Sequence, residues 1–566
     1  MCVSRTALAL LFASAIACSP TPQGPIPMKD LPDIDTKQAL ADITKIGSDE
    51  FEGRAPGSKG EELTVQYLTQ QFKAIGLEPG NPNGTWTQAA PLVSLQPDKI
   101  SSLKIAATNG QTKEFKWRDE YVGWSRRVTD TIDLSKSPLV FVGYGVQAPE
   151  FNWDDFKGVD VKGKTIVVLV NDPQVLMAGN SGGEAKLDSA MFRGNAMTYY
   201  GRWTYKFDKA AELGADGVII IHDTPTAGYG WNVVQGMGGE RFDMVTPNKN
   251  MDKAKLHSWV TADTAKEMFK MAGLDFDKLK AQAATKDFKA VPMNITASVT
   301  FNQKMRTVDS RNIVAKLPGA DPTLKDEYVI FTSHWDHFGV GVPVNGDSIY
   351  NGASDDASGV AGMLAIARAA KKVSPAPKRT MIFLAVTSEE QGLLGSQYYA
   401  QFPLYPLEKT LADVNIDANM SLWGRTSDKI VVGLGASDLD DYLRDAAAEV
   451  GQTLKPDSEP EKGFYYRSDH FNFAKVGVPA LDSGAGDDII GKPAGYGKQK
   501  KDDYTEHDYH QPSDQVKADW DMTGFGVDAK LLFTVGYRVA QAEKFPQWKA
   551  GNEFKAIRDK MLAPKK

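Results

Sequence analysis

A chain of 566 residues is long enough for two or three domains. Apolar residues at 42% and charged residues at 24% describe a folded chain rather than a disordered one, and 51 glycines and 30 prolines in no fixed period exclude a collagen-like rod. The net charge of −7 gives no reason to expect a nucleic-acid partner.

Residues 1–18 read as an export signal: Arg5, then an apolar stretch to Ala17, with Ala15-Ile16-Ala17 before Cys18. Ala17-Cys18 resembles a bacterial lipobox, although Ala15 stands where leucine is usual. The expectation is an exported protein lipid-anchored at Cys18, facing the periplasm or in the outer membrane, with an ordinary cleaved signal as the alternative. The proline-rich residues 19–34 suit an extended tether. Both cysteines, Cys2 and Cys18, fall in this leader, so the rest has no disulfide, thiolate metal site or cysteine nucleophile. Beyond the leader no apolar run is long enough to span a bilayer, leaving Cys18 as the expected membrane contact.

Asp35 or Thr36 can cap a helix carrying Leu40, Ile43 and Ile46 that stops at Gly47. A second helix is expected from about Glu61, with Leu63, Tyr67, Leu68, Phe72 and Ile75 inward and Gly76 past its end. A turn-rich loop, 52–58, joins them. From about Asp98 to Thr300 the chain offers short β-rich runs, including 139–142, 165–170 and 217–221. From Arg311 it alternates strand and helix, with strands expected at 312–317, 328–333, 380–387, 413–417, 430–434 and 478–481. The expected architecture is α/β: a mostly parallel central sheet flanked by helices, built from 35–114 and 295–566, and interrupted by a β-rich insertion at 115–294.

Five of the seven histidines (His334, His337, His470, His507 and His510, but not His222 and His257) lie in the sheet-forming part. His334 ends a predicted strand, where doubly wound sheets keep their binding crevice, and Asp336 is spaced to hold its second ring nitrogen. Taken alone, a strand-end histidine is more often simply hydrogen-bonded. Asp355 and Asp356 sit in a Gly/Ala/Ser loop before a helix; there the plain reading is capping, with Ser358 as N-cap. Glu389 and Glu390 follow a buried strand, so one can face a metal while its neighbour faces a substrate. Asp417 ends another strand, and His510 stands in a turn-rich run. Together, His334, Asp355, Glu390, Asp417 and His510 offer imidazole and carboxylate without sulfur, a donor set suited to zinc.

Five segments in order, His334-Trp-Asp, 352–360, 389–396, Asn415-Ile-Asp417 and Tyr509-His510, together with 467–470, resemble metallopeptidase family 28, the di-zinc aminopeptidases and their relatives. The likeness covers about 35–97 and 310–540. The interrupting segment resembles a protease-associated (PA) domain, through 141–145, 153–155, 163–164 and 210–221. The resemblance implies a zinc-exopeptidase fold and two zinc ions bridged by Asp355, with His334 and Asp417 completing one site and Glu390 and His510 the other. It makes Asp336 the support of His334 and Glu389 the general acid/base, and puts Tyr465 where some relatives place a transition-state tyrosine. Two zinc ions set against three ligand carboxylates and a hydroxide leave no net charge to bury. His337, His470 and His507 are left as supporting residues. Ala418-Asn419 departs from the Met-Gly that many members carry. The expected substrates are peptides cut from a free amino end, and no catalytic group is expected from the insertion. The rival readings are a carboxypeptidase-type exopeptidase on acidic peptides, whose basic residues spacing does not reveal, a one-zinc glutaminyl cyclase, and a non-catalytic binding relative.

Overall fold

Helix α1 (Thr36–Ile46) starts where the Asp35 carboxylate accepts the Gln38 N–H at 3.0 Å, and it stops at Gly47. Helix α2 (Lys59–Ile75) is capped by Ser58 and ends at Gly76, whose φ of 85° is the left-handed geometry that glycine takes without strain. The computed structural model describes residues 25–177, 186–237, 239–418 and 420–564. The expected signal with Cys18, the first part of the tether, and Asn419 lie outside the described residues.

The central sheet runs in the order β2 (Val291–Leu317), β4 (Thr380–Val386), β3 (Tyr328–His334), β5 (Thr410–Asn415) and β6 (Ala480–Gly484). Strand β3 is parallel to both β4 and β5, and β5 is parallel to β6; β2 lies antiparallel on β4. Each of β3, β4 and β5 is buried along its length because helices cover both faces. Val329, Phe331, Met381 and Phe383 pack with α1, α3 (Ser358–Lys372) and α4 (Thr523–Gln541). Ile330, Ile382, Leu384 and Val386 pack on the other face with Tyr399, Phe473 and Val478. Each such side chain contributes about 1.5–3 kcal/mol by leaving water.

Strand β2 is much longer than the 312–317 expected. It pairs antiparallel with β1 (Thr87–Asp98) from Asn302 to Ile313, while its first residues pair with the strand at Thr131–Phe141. The signal was present as alternation: Met293, Ile295, Ala297, Val299 and Phe301 are all buried. These side chains join Leu103, Ile105 and Phe115 in one core. The strand at Leu103–Ala107, assigned by sequence to 35–114, therefore shares one core with residues of the expected insertion. Inside it, the strand at Gly217–Ile221 lies parallel between those at Thr165–Leu169 and Leu256–Val260.

The insertion is seated on the sheet-bearing part. The Tyr199 ring lies 6.2 Å from Tyr466 and 5.1 Å from Phe471, and Lys475 pairs with Asp208 at 2.7 Å. Among the described residues no helix is long and apolar enough to cross a membrane.

Candidate metal centre

Parallel pairing brings three strand ends to one edge. His334 is the last residue of β3 and lies in register with Val386, while Thr332 lies opposite Asn415. The chain leaving β4 therefore delivers Glu389 and Glu390, and the chain leaving β5 delivers Asp417, beside the His334 imidazole. His334 Nε2 is 3.1 Å from Asp355 Oδ1 and 3.4 Å from Asp417 Oδ1. The other Asp355 oxygen is 3.4 Å from His510 Nε2, which is itself 3.2 Å from Glu390 Oε2. Asp355 thus turns one oxygen toward each group. All five sequence candidates converge here.

The two adjacent aspartates divide their tasks. Asp356 Oδ1 accepts the Gly359 and Ala418 N–H groups, each at 2.9 Å, and Oδ2 accepts the Ser333 hydroxyl at 2.6 Å. Asp356 does the capping work expected of Ser358, which is instead the first helical residue and donates to the Ser354 carbonyl at 2.7 Å. Asp355 is left free to face the histidines. Its own N–H and that of Ser354 donate to Asp514 at 3.1 and 3.0 Å. Arg54, fully buried, donates to the carbonyls of Trp335, Ile46, Asn351 and Gly352 at 2.6–3.0 Å, tying the His334 loop to the Asp355 loop.

Asp336 supports His334 through its main chain. His334 Nδ1 contacts the Asp336 carbonyl at 3.0 Å, whereas the carboxylate Oδ1 is 3.8 Å away and accepts the Glu389 N–H at 3.0 Å. The turn after β3 folds the carbonyl back onto the ring and sends the carboxylate across to the end of β4. In the turn before the helix at His470–Lys475, Ser468 donates to Asp417 Oδ2 at 2.5 Å and takes a hydrogen bond from Asn415 at 2.7 Å.

His337, read from sequence as a supporting residue, enters the group. It is fully buried, its Nδ1 is 2.6 Å from Glu390 Oε1, and it can share an ion with Asp355 and Glu390, as His334 can with Asp355 and Asp417. These contacts are close without being aligned as hydrogen bonds: His334 Nε2, both His337 nitrogens and Glu390 Oε1 are buried and unbonded. Donor atoms that crowd one another while aiming past one another fit a cation between them, and the nitrogen and oxygen set fits zinc.

Electrostatics agree with a centre built to hold positive charge. Burial opposes a charged His334, yet Asp417 and Asp355 hold its pKa well above 6.5. His510 is pushed up to about 10 against its own burial by Asp355 and Glu390. Glu389 goes far above the ordinary carboxyl range, chiefly through burial, with Asp417, Glu390 and Asp469 adding repulsion. Burial likewise pushes Asp336 up to about 7.

Tyr465 lines a cavity of 480 Å³ shared with Arg193, Met197, Gly433 and Asn552, a cavity that none of the ligand candidates lines. A tyrosine that several of the site's carboxylates act on is Tyr509: burial first, then Asp355, Glu390, Glu389 and Asp417, drive its pKa up. Its ring stacks on His510 at 3.7 Å between centroids. Sequence reasoning used Tyr509 only as part of the Tyr-His motif. His470 is buried against Tyr465, and His507 is exposed at a helix end.

Residues 312–529 match the model of peptidase family M28. Over 120 residues the chain is 37% identical to a probable zinc metalloprotease of Pyrenophora teres f. teres (strain 0-1), a stretch covering 20% of this chain and 24% of that protein. Over 135 residues it is 31% identical to the aminopeptidase NAALADL1 of Mus musculus, covering 23% of this chain and 16% of that one. The chain thus spans about a quarter or less of the length of these curated relatives. Among solved structures, an aminopeptidase from Aneurinibacillus sp. strain AM-1 superposes with a TM-score of 0.46 at 20% identity, over 90% of this chain and 94% of that one. The segment that is similar to peptidase family M28, residues 312–529, holds His334, His337, Asp355, Glu389, Glu390, Asp417 and His510, all the residues of the candidate centre.

Proposed function

We propose that the chain is a zinc-dependent aminopeptidase that removes residues from the free amino end of peptides. The observation that carries this is Asp355, which offers one carboxylate oxygen to each of two histidine–carboxylate groups, with Glu389 on the adjoining strand end. In this reading Asp355 would serve two zinc ions, His334 and Asp417 would help to hold one, and Glu390 and His510, with His337 against Glu390, would help to hold the other. When bound, the ions supply a Lewis acid for the peptide carbonyl and lower the pKa of water. Glu389 takes the proton from the attacking water and passes it to the leaving amine. Its main chain is fixed by Asp336, so the side chain swings from a rigid anchor. Tyr509, kept protonated by burial and then by the carboxylates around it, donates to the developing oxyanion. The excess of carboxylate favours a substrate ammonium, and the similarity to proteins named as a zinc metalloprotease and an aminopeptidase supports the same reading.

The test compares free and N-acetylated peptides on zinc-loaded protein. Stepwise loss of residues from the free amino end, with blocked peptides hardly touched, is the expected outcome. Equal cleavage of both, or release from the carboxyl end, would overturn it. The residues before Cys18 support export with a lipid anchor. A mature amino terminus downstream of Cys18, carrying no lipid mass, would remove the anchor from this proposal.

A further inference from the structure

Behind the metal centre a run of hydrogen bonds leads from a buried acid to Asp417. Asp413 lies on β5 opposite Ile330 of β3, in the layer where Ile330, Ile382 and Leu384 pack with Tyr399 and Phe473. Side chains two apart on a strand share a face, so Asn415 points the same way, beside its register partner Thr332. Asp413, Thr332 and Asn415 are fully buried. The Thr332 hydroxyl oxygen is 2.9 Å from Asp413 Oδ1 and 2.9 Å from Asn415 Oδ1. The Asn415 amide nitrogen is 2.7 Å from Ser468 Oγ, which is 2.5 Å from Asp417 Oδ2.

Counting hydrogens gives the run a direction. As a zinc ligand Asp417 is a carboxylate and can only accept, so the one Ser468 hydroxyl hydrogen goes to it. Ser468 Oγ must then accept from Asn415, which turns the amide nitrogen toward Ser468 and the amide oxygen toward Thr332. That oxygen only accepts, so the one Thr332 hydroxyl hydrogen goes to it. The remaining contact, Thr332 Oγ1 to Asp413 Oδ1, holds a hydrogen only if Asp413 brings one. With a carboxylate there, two buried oxygens would face each other at 2.9 Å with no proton between them.

The surroundings agree. Asp413 Oδ2 is buried without a partner, which costs far less for the carbonyl oxygen of a neutral acid than for a charged carboxylate. Among the described residues no lysine, arginine or histidine nitrogen lies within 4.0 Å of Asp413. The charged groups that act on it are the acids Asp469 and Asp482; burial first, with their repulsion added, holds its pKa well above the ordinary carboxyl range.

We infer that Asp413 is kept as a neutral carboxylic acid and is a positioning residue: it heads a one-way run of hydrogen bonds through Thr332, Asn415 and Ser468 that occupies Asp417 Oδ2 and leaves Oδ1, the oxygen near His334, to hold zinc. The inference rests on the zinc reading of the centre and adds a residue to it. No proton moves along the run; it fixes which oxygen of Asp417 faces the ion. An ionised Asp413 would take the Thr332 hydrogen for itself and leave the Asn415 oxygen unpaired, loosening the amide that holds Ser468.

The experiment begins with infrared difference spectra of zinc-loaded wild type against Asp413→Asn at about pH 8, where an ordinary aspartate is ionised. The wild type should show the carbonyl stretch of a protonated carboxyl that the variant lacks. Chelator competition and the visible spectrum of cobalt-loaded protein then report on Asp417. Thr332→Val breaks the run, so zinc affinity should fall about 10–100-fold and the cobalt spectrum should change, with Thr332→Ser restoring both. Asp413→Asn should match the wild type in both, because its amide N–H can donate to Thr332 as the acid does. Asp413→Leu, with no donor, should change both in the direction of Thr332→Val. Carboxylate bands from Asp413 overturn the inference, as does Asp413→Asn losing as much zinc as Thr332→Val. Wild-type behaviour in either Thr332→Val or Asp413→Leu also overturns it. If Asp413→Leu folds poorly, the infrared pair and the two Thr332 variants still decide. If the wild type takes up neither zinc nor cobalt, the zinc reading itself fails, and the infrared spectra of the metal-free chain still show whether Asp413 is an acid.

Discussion

Arg54 donates to the Asn351 carbonyl at 2.6 Å, reaching it across 297 residues of chain. The same guanidinium holds Gly352, Trp335 and Ile46, so one buried side chain fixes the loops on which Asp355 and His334 are mounted. Four main-chain carbonyls satisfy it, and burial lowers its pKa while the surrounding aspartates raise it. Arg54→Lys keeps the charge but cannot span four acceptors. The expected result is a loss of about 3 kcal/mol or more in unfolding free energy, because buried carbonyls are left unpaired. Zinc affinity should fall with it. Urea unfolding and chelator competition on the same preparation measure both, and a variant with wild-type values would show that the loops hold themselves.

Glu389→Gln should retain metal and lose turnover by about 10²–10⁴-fold. The amide keeps the shape, and its N–H to Asp336 is main chain, so the strand end is undisturbed. What disappears is the capacity to carry a proton. Metal analysis beside steady-state rates checks this, and full occupancy with near wild-type turnover would remove Glu389 from the proton path.

Metal content should separate the ligands. Asp355→Ala should empty both sites, since its two oxygens face different histidines. His334→Ala should spare more zinc than Asp355→Ala. His337→Ala should weaken binding on the Glu390 side by about 10–100-fold, the usual cost of losing a neighbour that orients a ligand. Zinc per chain by atomic emission after dialysis against graded chelator gives the order. His337→Ala behaving as wild type would leave that imidazole a packing residue.

What the sequence made legible was whatever is written locally. His334, Glu389, Glu390 and Asp417 follow apolar strands, and a strand end points to one edge of a parallel sheet whatever the rest of the chain does. Arg54 and Asp514 carry no such signature. Arg54 and Asp514 act on main-chain groups more than 150 residues away, and no periodicity marks a residue whose partner is a backbone carbonyl. His337 had a visible position but no visible direction, because three residues past a strand end the turn decides where a ring points. The length of β2 was missed for another reason. Its alternating burial begins among Thr, Ser and Asn, where polar residues on the open face mask the period.

The insertion supplies the last prediction, through pH. His257 is buried with both ring nitrogens unpaired, its ring stacked on Phe207 at 4.3 Å and edge-on to Trp124 at 6.1 Å. Burial, then Arg126, hold its pKa well below 6.5, so the folded chain keeps the ring neutral while the unfolded chain protonates it as pH falls. The folded pKa is depressed, hence the stability it carries is complete above about pH 6.5 and is lost as pH falls below that value. The slope is about 1.4 kcal/mol per pH unit for one proton. His222 and His470, the latter brought down to about 3 by burial, act in the same direction. His257→Phe replaces the stacked ring with one that takes no proton. Urea unfolding of metal-free wild type and variant between pH 7 and 4.5, followed by tryptophan fluorescence, should give curves that agree near neutrality and diverge in acid, the variant falling less steeply. Zinc content should be the same in both, since His257 lies outside both candidate ligand groups. Parallel curves would mean that the buried imidazole finds a proton partner on acidification, and a lost zinc equivalent would tie the insertion to the metal centre directly.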